Sequence, residues 1–178
     1  MNKRQAALIL IDLQNDFMPG GALGVPGADQ LLPLINRLQE KFSRVLATQD
    51  WHPENHCSFA DNHPGHQPGD LLLCEGLPQR LWPRHCVQGS FGAALVATLA
   101  QGKIEKSIMK GSDPLLDSYS AFFDNAQRQA TELDAYLKAQ QLEVLYFAGV
   151  ATDYCVKFSV LDACRLGYAT TVVIDACA

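Results

Sequence analysis

A cysteine that directly follows a buried strand is the residue of this sequence best suited to chemistry. Cys155 lies in segment 149–156 (GVATDYCV), after the apolar run 142–148 and before a helical pattern that extends to about Gly167. At such a position the free N–H groups of the first helical turn and the helix dipole stabilise a thiolate. The segment therefore predicts a nucleophile site.

Asp12 and Lys110 each end a predicted strand, and with Cys155 they suit nucleophilic catalysis. A carboxylate takes the thiol proton and passes it to a leaving group. An ammonium group nearby favours the thiolate and lowers the pKa of the acid. Taken one at a time, each residue has a better structural interpretation: Asp12 would cap its strand, Lys110 would be solvated, and Cys155 would pack in the core. Together, at matching strand ends, the three favour catalysis.

A carboxylate and two imidazoles form a second candidate group, Asp50, His52 and His85. Residues 50 and 52 of an extended segment point the same way, and His85 would close the site from the far end of a long loop. Such a set suits zinc, iron or manganese and leaves positions open for water or a ligand. The alternative is that loop histidines are exposed and unrelated, which is the interpretation we favour for His63 and His66.

Aromatic residues are candidates for the wall of a pocket beside these groups. Periodicity does not separate a pocket wall from ordinary packing in the core or the loops, so both interpretations stay open. The residues are Phe17, Trp82, Tyr119 and Tyr154.

Strands that alternate with helices predict an α/β protein with a three-layer, doubly wound fold and a mainly parallel central sheet. Apolar runs predict strands at 6–11, 44–48, 104–109, 142–148 and 169–174. Helical spacing predicts three helices. Asp29 would cap the first, and the other two would begin at Thr131 and at Asp153. Ligands bind outside the carboxyl ends of such strands. We therefore expect four of these residues to converge on one crevice, Asp12, Asp50, Lys110 and Cys155, while Asp175 follows the fifth predicted strand.

Length, charge and composition limit the class of protein. The 178 residues, with no linker-like stretch, predict a single domain over 1–178, and an irregular loop at about 51–89 is long enough to be functional. A net charge of −5 and a pI near 5.4 argue against nucleic-acid and membrane partners. No stretch suits a signal peptide or a membrane span. Six cysteines without CxxC spacing predict free thiols and a cytoplasmic location.

Taken together, the motifs resemble the nicotinamidases of the isochorismatase-like cysteine hydrolase superfamily. The resemblance extends from about Ala6 to Cys177. In chain order its motifs are Asp12-Leu13-Gln14-Asn15-Asp16-Phe17, Gln49-Asp50-Trp51-His52, Trp82-Pro83-Arg84-His85-Cys86, Lys110-Gly111, Tyr119-Ser120 and Ala151-Thr152-Asp153-Tyr154-Cys155.

The resemblance implies a metal-dependent amidohydrolase that converts nicotinamide to nicotinate and ammonia through a thioester, in NAD salvage. It implies Asp12, Lys110 and Cys155 as the catalytic triad, and a cis peptide before Ala151 whose N–H forms an oxyanion hole with that of Cys155. The ring would lie between Phe17 and Trp82, near Tyr119 and Tyr154. One divalent ion, with zinc favoured over iron or manganese, would be held by Asp50, His52 and His85, and His56 matches an additional ligand of some members.

The resemblance also implies pyrazinamide as an analogue substrate. Relatives continue after the fifth strand with another helix and usually a sixth strand, whereas this sequence ends at Ala178. We therefore expect residues beyond those given, and without them a bare edge on the fifth strand. The identity of the metal and the oligomeric state, including a homo-oligomer, stay open.

Three other functions are weighed against this one. A sister cysteine amidase acting on another small amide or carbamoyl group would keep the cysteine triad but lack the metal residues. A non-haem iron oxygenase would use two histidines and a carboxylate but would leave Lys110 and Cys155 without roles. A non-catalytic metal-binding module is the third, and ammonia release from nicotinamide separates it from an amidase.

Overall fold

Five parallel strands form the central sheet of the computed structural model, which describes residues 5–178. Seven strands occur in chain order: β1 (Gln5–Ile11), β2 (Val45–Asp50), β3 (Leu71–Cys74), β4 (Leu77–Arg80), β5 (Ile104–Lys110), β6 (Leu142–Gly149) and β7 (Ala169–Cys177). The sheet order is β5-β2-β1-β6-β7, and all four pairings are parallel. The chain therefore winds outward from β1 in both directions, and the carboxyl ends of β1, β2, β5 and β6 share one edge.

Helices cover both faces of this sheet, because successive residues of a strand point to opposite sides. The helices are α1 (Leu32–Gln39), α2 (Leu133–Ala139) and α3 (Lys157–Arg165). Leu8 and Leu10 of β1 belong to the same buried cluster as Ile35 of α1. Ile9 of β1 belongs to the cluster on the other face, with Leu137 of α2. The predicted doubly wound fold is confirmed.

The long loop after β2 contains regular structure that the sequence pattern did not indicate. Strands β3 and β4 form an antiparallel hairpin with Leu71 opposite Arg80. The run Leu71–Cys74 is entirely apolar and so lacks the alternation that marks an exposed strand. Pro78 lies within β4, where a proline ordinarily argues against a strand.

The helix starts differ from the prediction, and α2 begins at Leu133 and not at Thr131. Asp29 lies inside a 3₁₀ turn, Ala28–Leu31, and makes no side-chain cap, so α1 begins only at Leu32. The helix after β6 begins with a π-helical turn, Thr152–Val156, and continues as α3. The hydroxyl of Thr131 accepts the N–H of Leu133 at the start of α2, as a cap does.

The last strand is longer than predicted. Because β7 continues to Cys177, Asp175 is a residue of the strand and not a group at its end. The predicted position of Asp175, after the end of the fifth strand, is therefore wrong. Ile174 of this edge strand is 64% exposed. Within residues 5–178, no helix combines the length and apolar character needed to cross a membrane.

Candidate active site

Four residues from four strand ends meet at the carboxyl edge of the sheet. Lys110 Nζ lies 2.9 Å from Asp12 Oδ2 and 3.4 Å from Cys155 Sγ, and it also contacts Asp50 Oδ1. All four side chains are buried. Since β1 is flanked by β2 and β6, and β5 lies beside β2, the parallel order of the strands is what places these ends together. The predicted convergence is found for Asp12, Asp50, Lys110 and Cys155.

The surroundings of Cys155 favour the neutral thiol over the thiolate, contrary to the expectation from its position in the chain. Burial raises the pKa of Cys155 well above its usual value, and the carboxylates of Asp12 and Asp50 raise it further while Lys110 opposes them. Desolvation by burial is the largest of these effects and outweighs the favourable lysine. The sulfur therefore needs a base, and Asp12 is beside it.

Asp12 is held by β2 as well as by Lys110. Thr48 Oγ1 donates to Asp12 Oδ1 at 2.5 Å and accepts the N–H of Asp12 at 3.2 Å. Burial raises the pKa of the Asp12 carboxyl, and Lys110 only partly offsets this effect. A carboxyl with a raised pKa is suited to accept and return a proton near neutral pH.

The peptide between Val150 and Ala151 is cis, as the resemblance implied. Ala151 ends the segment that leaves β6, and Cys155 follows it within the π-helical turn. Both residues line the same cavity. The backbone N–H groups of these two residues are therefore candidates for an oxyanion hole.

Asp50, His52 and His85 form a group that fits a metal ion. Their ligand atoms all lie within 4.8 Å of one another, and Nε2 of each histidine is 3.6 or 3.8 Å from Asp50 Oδ2. The Nδ1 atoms face backbone carbonyls, that of Gly111 at 2.7 Å for His52 and that of Pro83 at 2.8 Å for His85.

These contacts define the protonation of both rings. A carbonyl oxygen only accepts, so each Nδ1 carries a hydrogen, and in a neutral ring Nε2 turns a lone pair toward the carboxylate. A lone pair that faces a carboxylate is stabilised by a positive charge between them, either a proton on Nε2 or a bound metal ion. Anchored Nδ1 atoms and convergent Nε2 atoms are also the usual surroundings of metal-binding histidines. The donor set supports a divalent ion at this position.

His56 lies beside this group but not in it. Its ring is 4.2 Å from the ring of His52, its Nδ1 is 2.7 Å from Ser58 Oγ, and its Nε2 has no hydrogen-bond partner within residues 5–178. The donor atoms within mutual reach of His56 are those of His52 and Asp117, not those of Asp50 and His85. The geometry therefore supports three protein ligands, with His56 in a neighbouring group.

A cavity of about 240 Å³ opens beside the sulfur. This volume is below the roughly 300–1,000 Å³ of pockets for drug-sized ligands, so it suits a small molecule. A larger open groove, of about 1,390 Å³, lies at the amino ends of β1, β2 and β6, away from these residues. The smaller cavity lies where parallel sheets bind ligands, and its walls include Asp50, His85, Ala151 and Cys155.

The four predicted aromatic residues all line this cavity. The ring of Tyr154 is 5.1 Å from that of Trp82 and 5.3 Å from that of Tyr119, edge to face in both pairs. Trp82 Nε1 donates to the hydroxyl of Tyr119 at 3.3 Å. The ring of Phe17, also in the cavity wall, lies 5.6 Å from the ring of His85. The cavity is thus walled by rings near both the sulfur and the histidines.

Besides Thr48, two other buried polar residues of the site were not singled out by the sequence. Gln14 donates to the Asp50 carbonyl and accepts the Asp50 N–H, both at 2.8 Å, so it fixes the backbone of that carboxylate. Asp117 lines the cavity and accepts from Gln79 of β4 at 2.9 Å. The signal for Gln14 was its place two residues after Asp12, whereas Asp117 lies in an irregular loop that gave none.

Known proteins resemble this chain over almost its whole length. A nicotinamidase of Escherichia coli K12 is 52% identical over 177 residues, covering 96% of this chain and 82% of the relative. A solved nicotinamidase pyrazinamidase of Acinetobacter baumanii superposes with a TM-score of 0.95 at 43% identity, covering 99% of this chain and 86% of that one. A pyrazinamidase of Pyrococcus horikoshii, solved in complex with zinc, gives 0.78 at 37% identity, covering 97% and 86%.

The chain also matches a known domain family, in agreement with its sheet and its candidate site. Residues 6–178 match the Isochorismatase domain, which spans every strand that carries a residue of the candidate site. The fold, the relatives and this match agree, and the chain belongs to the isochorismatase domain family.

Proposed function

We propose that this chain hydrolyses nicotinamide to nicotinate and ammonia as a cysteine amidohydrolase. The observation that carries the proposal is the buried contact of Lys110 with both Asp12 and Cys155 at the wall of a small aromatic cavity. The 52% identity to a nicotinamidase of Escherichia coli supports the choice of amide. Pyrazinamide, which carries the same carboxamide on a six-membered ring, is the expected analogue.

The first half of the reaction forms a thioester. Asp12 takes the proton of Cys155, and the sulfur attacks the carboxamide carbon. The oxyanion is stabilised by the N–H groups of Ala151 and Cys155, each worth roughly 3–4 kcal/mol in comparable sites. Asp12 then gives its proton to the nitrogen, the C–N bond breaks, and ammonia leaves.

The second half returns the enzyme to its starting state. Asp12 takes a proton from water, the resulting oxygen nucleophile attacks the thioester carbon, and the C–S bond breaks. The proton passes back to the sulfur, and nicotinate is released. Lys110 stays charged throughout, because the neighbouring carboxylates of Asp12 and Asp50 outweigh burial and hold its pKa well above the usual value.

The remaining residues of the site bind and orient the substrate. Phe17 and Trp82 would lie against the two faces of the pyridine ring, with Tyr119 and Tyr154 at its edge. Asp50, His52 and His85 would hold one divalent ion, for which the zinc-bound relative favours zinc. When bound, the ion would supply a cationic anchor for the ring nitrogen, directly or through water.

We also propose that this reaction serves NAD salvage in the cytoplasm. Nicotinamide is the amide released when NAD is consumed, and its hydrolysis product nicotinate is a precursor for resynthesis. The six cysteines are free thiols, which fits a reducing compartment. A bacterial strain that can make NAD from nicotinate but not from nicotinamide would test this role. Expression of the chain should allow that strain to grow on nicotinamide.

Substitution of the nucleophile tests the proposed reaction. We expect Cys155→Ala to lower ammonia release from nicotinamide by about 10⁴-fold or more, because the acyl intermediate has no sulfur to form on. Ammonia release and intact-protein mass spectrometry during turnover are the two measurements, the second to detect the acyl adduct.

Cys164→Ala is the matched control, since Cys164 is an exposed thiol of α3 outside the site. It should keep both turnover and adduct. Undiminished ammonia release by Cys155→Ala would refute the nucleophile. Turnover of a carbamoyl compound in place of nicotinamide by the unaltered protein would favour the sister amidase.

A further inference from the structure

The carboxylate of Asp12 is oriented by a single side chain from the neighbouring strand. Thr48 of β2 is completely buried, and its hydroxyl makes both a donor and an acceptor contact with Asp12. The donor contact, at 2.5 Å, uses Oδ1 of the carboxylate. The acceptor contact satisfies the backbone N–H of the same residue.

The backbone of Asp12 explains why it needs this support. Asp12 has φ 50, in the left-handed region, because the chain turns out of the sheet directly after β1. Aspartate tolerates this region better than most residues, but its N–H then leaves the strand ladder. The hydroxyl of Thr48 takes the place of the missing ladder partner, so the turn and the carboxylate are fixed by the same group.

The two carboxylate oxygens of Asp12 consequently have different surroundings. Oδ1 is engaged by Thr48, whereas Oδ2 has Lys110 Nζ at 2.9 Å and no aligned hydrogen bond among the described residues. The donor atoms of Asp12 and Cys155 lie within 4.8 Å of each other. Oδ2 is therefore the oxygen with free capacity for the thiol proton.

We propose that Thr48 is a positioning residue, whose hydroxyl fixes the carboxylate of Asp12 so that Oδ2 accepts the proton of Cys155. This inference rests on the proposed function, because it assigns the orientation of the same base. Thr48 touches neither the cavity nor the sulfur and acts only through Asp12. The competing interpretation is a hydrogen bond that contributes to stability alone.

An isosteric pair of variants separates the two interpretations. Thr48→Val keeps the shape and removes the hydroxyl, and we expect kcat for nicotinamide to fall about tenfold to a hundredfold, with KM within about twofold. Thr48→Ser restores the hydroxyl and should return kcat to within about threefold of the unaltered protein. The rate at which iodoacetamide alkylates Cys155 should fall in Thr48→Val and recover in Thr48→Ser.

Thr131→Val is the matched control for lost hydrogen bonds. The Thr131 hydroxyl also donates once and accepts once, to the Ala121 carbonyl at 2.6 Å and from the Leu133 N–H, but outside the site. It should lower Tm without changing kcat at a temperature where the variant is folded. Because Asp50 lies only two residues from Thr48, the zinc content of Thr48→Val must also be measured. We expect it to match that of the unaltered protein.

The outcomes distinguish this inference from the proposed function. An unchanged kcat and alkylation rate in folded Thr48→Val would overturn the role of Thr48 even if nicotinamide is the substrate. If the unaltered protein releases no ammonia from nicotinamide, but Thr48→Val still slows alkylation and Thr48→Ser restores it, the proposed substrate fails and the role of Thr48 stands.

Discussion

Lys110 sets the charge balance of the buried cluster. Its Nζ contacts both carboxylates, the sulfur and the Ser118 carbonyl, and no part of its side chain is exposed. A neutral residue here would leave Asp12 and Asp50 facing each other without a counter-charge, a situation that typically costs 3–5 kcal/mol. Lys110 therefore supports the fold of the site as well as its electrostatics, and its loss would impair both.

At the scale of one residue, His56 should make stability depend on pH. Burial, aided by His52, lowers the pKa of His56 from 6.5 to about 4. Between these values the unfolded chain binds a proton that the folded chain does not, so stability falls as pH falls from 6.5 to 4, by up to about 3 kcal/mol. Urea unfolding at pH 7, 5.5 and 4.5, with a chelator present, measures this dependence.

His56→Gln supplies the comparison for this prediction. The variant keeps a neutral polar side chain but has nothing to protonate in that range, so its stability should change less with pH than that of the unaltered protein. Acidic residues titrate in both proteins and cancel in the difference. The same pH slope in both would contradict the assignment.

At the scale of the element, the turn that follows β5 supports His52, a proposed metal ligand. Gly111 has φ +64, and its carbonyl accepts from His52 Nδ1. A Cβ on this glycine would lie 2.4 Å from Cε1 of the His52 ring. The end of β5 thus places Lys110 in the buried cluster. The next residue, Gly111, has no side chain and so leaves room for the His52 ring.

Gly111→Ala should therefore weaken zinc binding by about 10- to 100-fold, the usual effect of disturbing the outer contacts of a ligand. Chelator competition measures the zinc Kd directly. Gly102→Ala is the control, because a Cβ there has no atom within 4 Å. Equal zinc affinity in the two variants would show that the His52 ring adapts without cost.

Sequence patterns predicted the sheet well and the ends of its strands less well. Apolar runs located every strand of the main sheet, but β2 and β5 each continue into the polar residues Asp50 and Lys110. Polar side chains inside a strand are not expected from hydrophobic periodicity. The strands extend this far because the ladder between β2 and β5 pairs Asp50 with Lys110.

The supporting residues of the site escaped prediction for a different reason. Thr48, Gln14 and the carbonyl of Gly111 act through backbone geometry: a left-handed turn, a side-chain amide on a neighbouring backbone, and a carbonyl facing an imidazole. None of these contacts follows from residue type or spacing. The types and order of the proposed catalytic and metal-binding groups followed from the sequence, whereas the contacts that orient them required the structure.

At the scale of the whole molecule, the metal should stabilise the fold. Asp50 ends β2, His52 follows it, and His85 comes from the other end of the long loop, so one ion would link that loop to the sheet. An ion that binds only the folded chain adds about 2.7 kcal/mol when present at 100 times its Kd. We expect zinc to raise Tm and a chelator to lower it, as measured by thermal unfolding.

His85→Gln should abolish most of this zinc-dependent rise, because it removes the ligand from the loop. His66→Gln is the control, since His66 is an exposed loop histidine outside the group. A rise in Tm that persists undiminished in His85→Gln would place the stabilising ion elsewhere.

The central position of β1 has a consequence for synthesis on the ribosome. Of the described strands β1 emerges first, yet it pairs with β2 on one side and with β6, Leu142–Gly149, on the other. A growing chain can therefore form the half-sheet β5-β2-β1 early, but must hold one edge of its innermost strand unpaired until most of the chain has been translated. Such an edge invites pairing with other chains. The nascent protein should accordingly depend on chaperones until β6 arrives, shortly before Cys155, the proposed nucleophile, can reach Asp12.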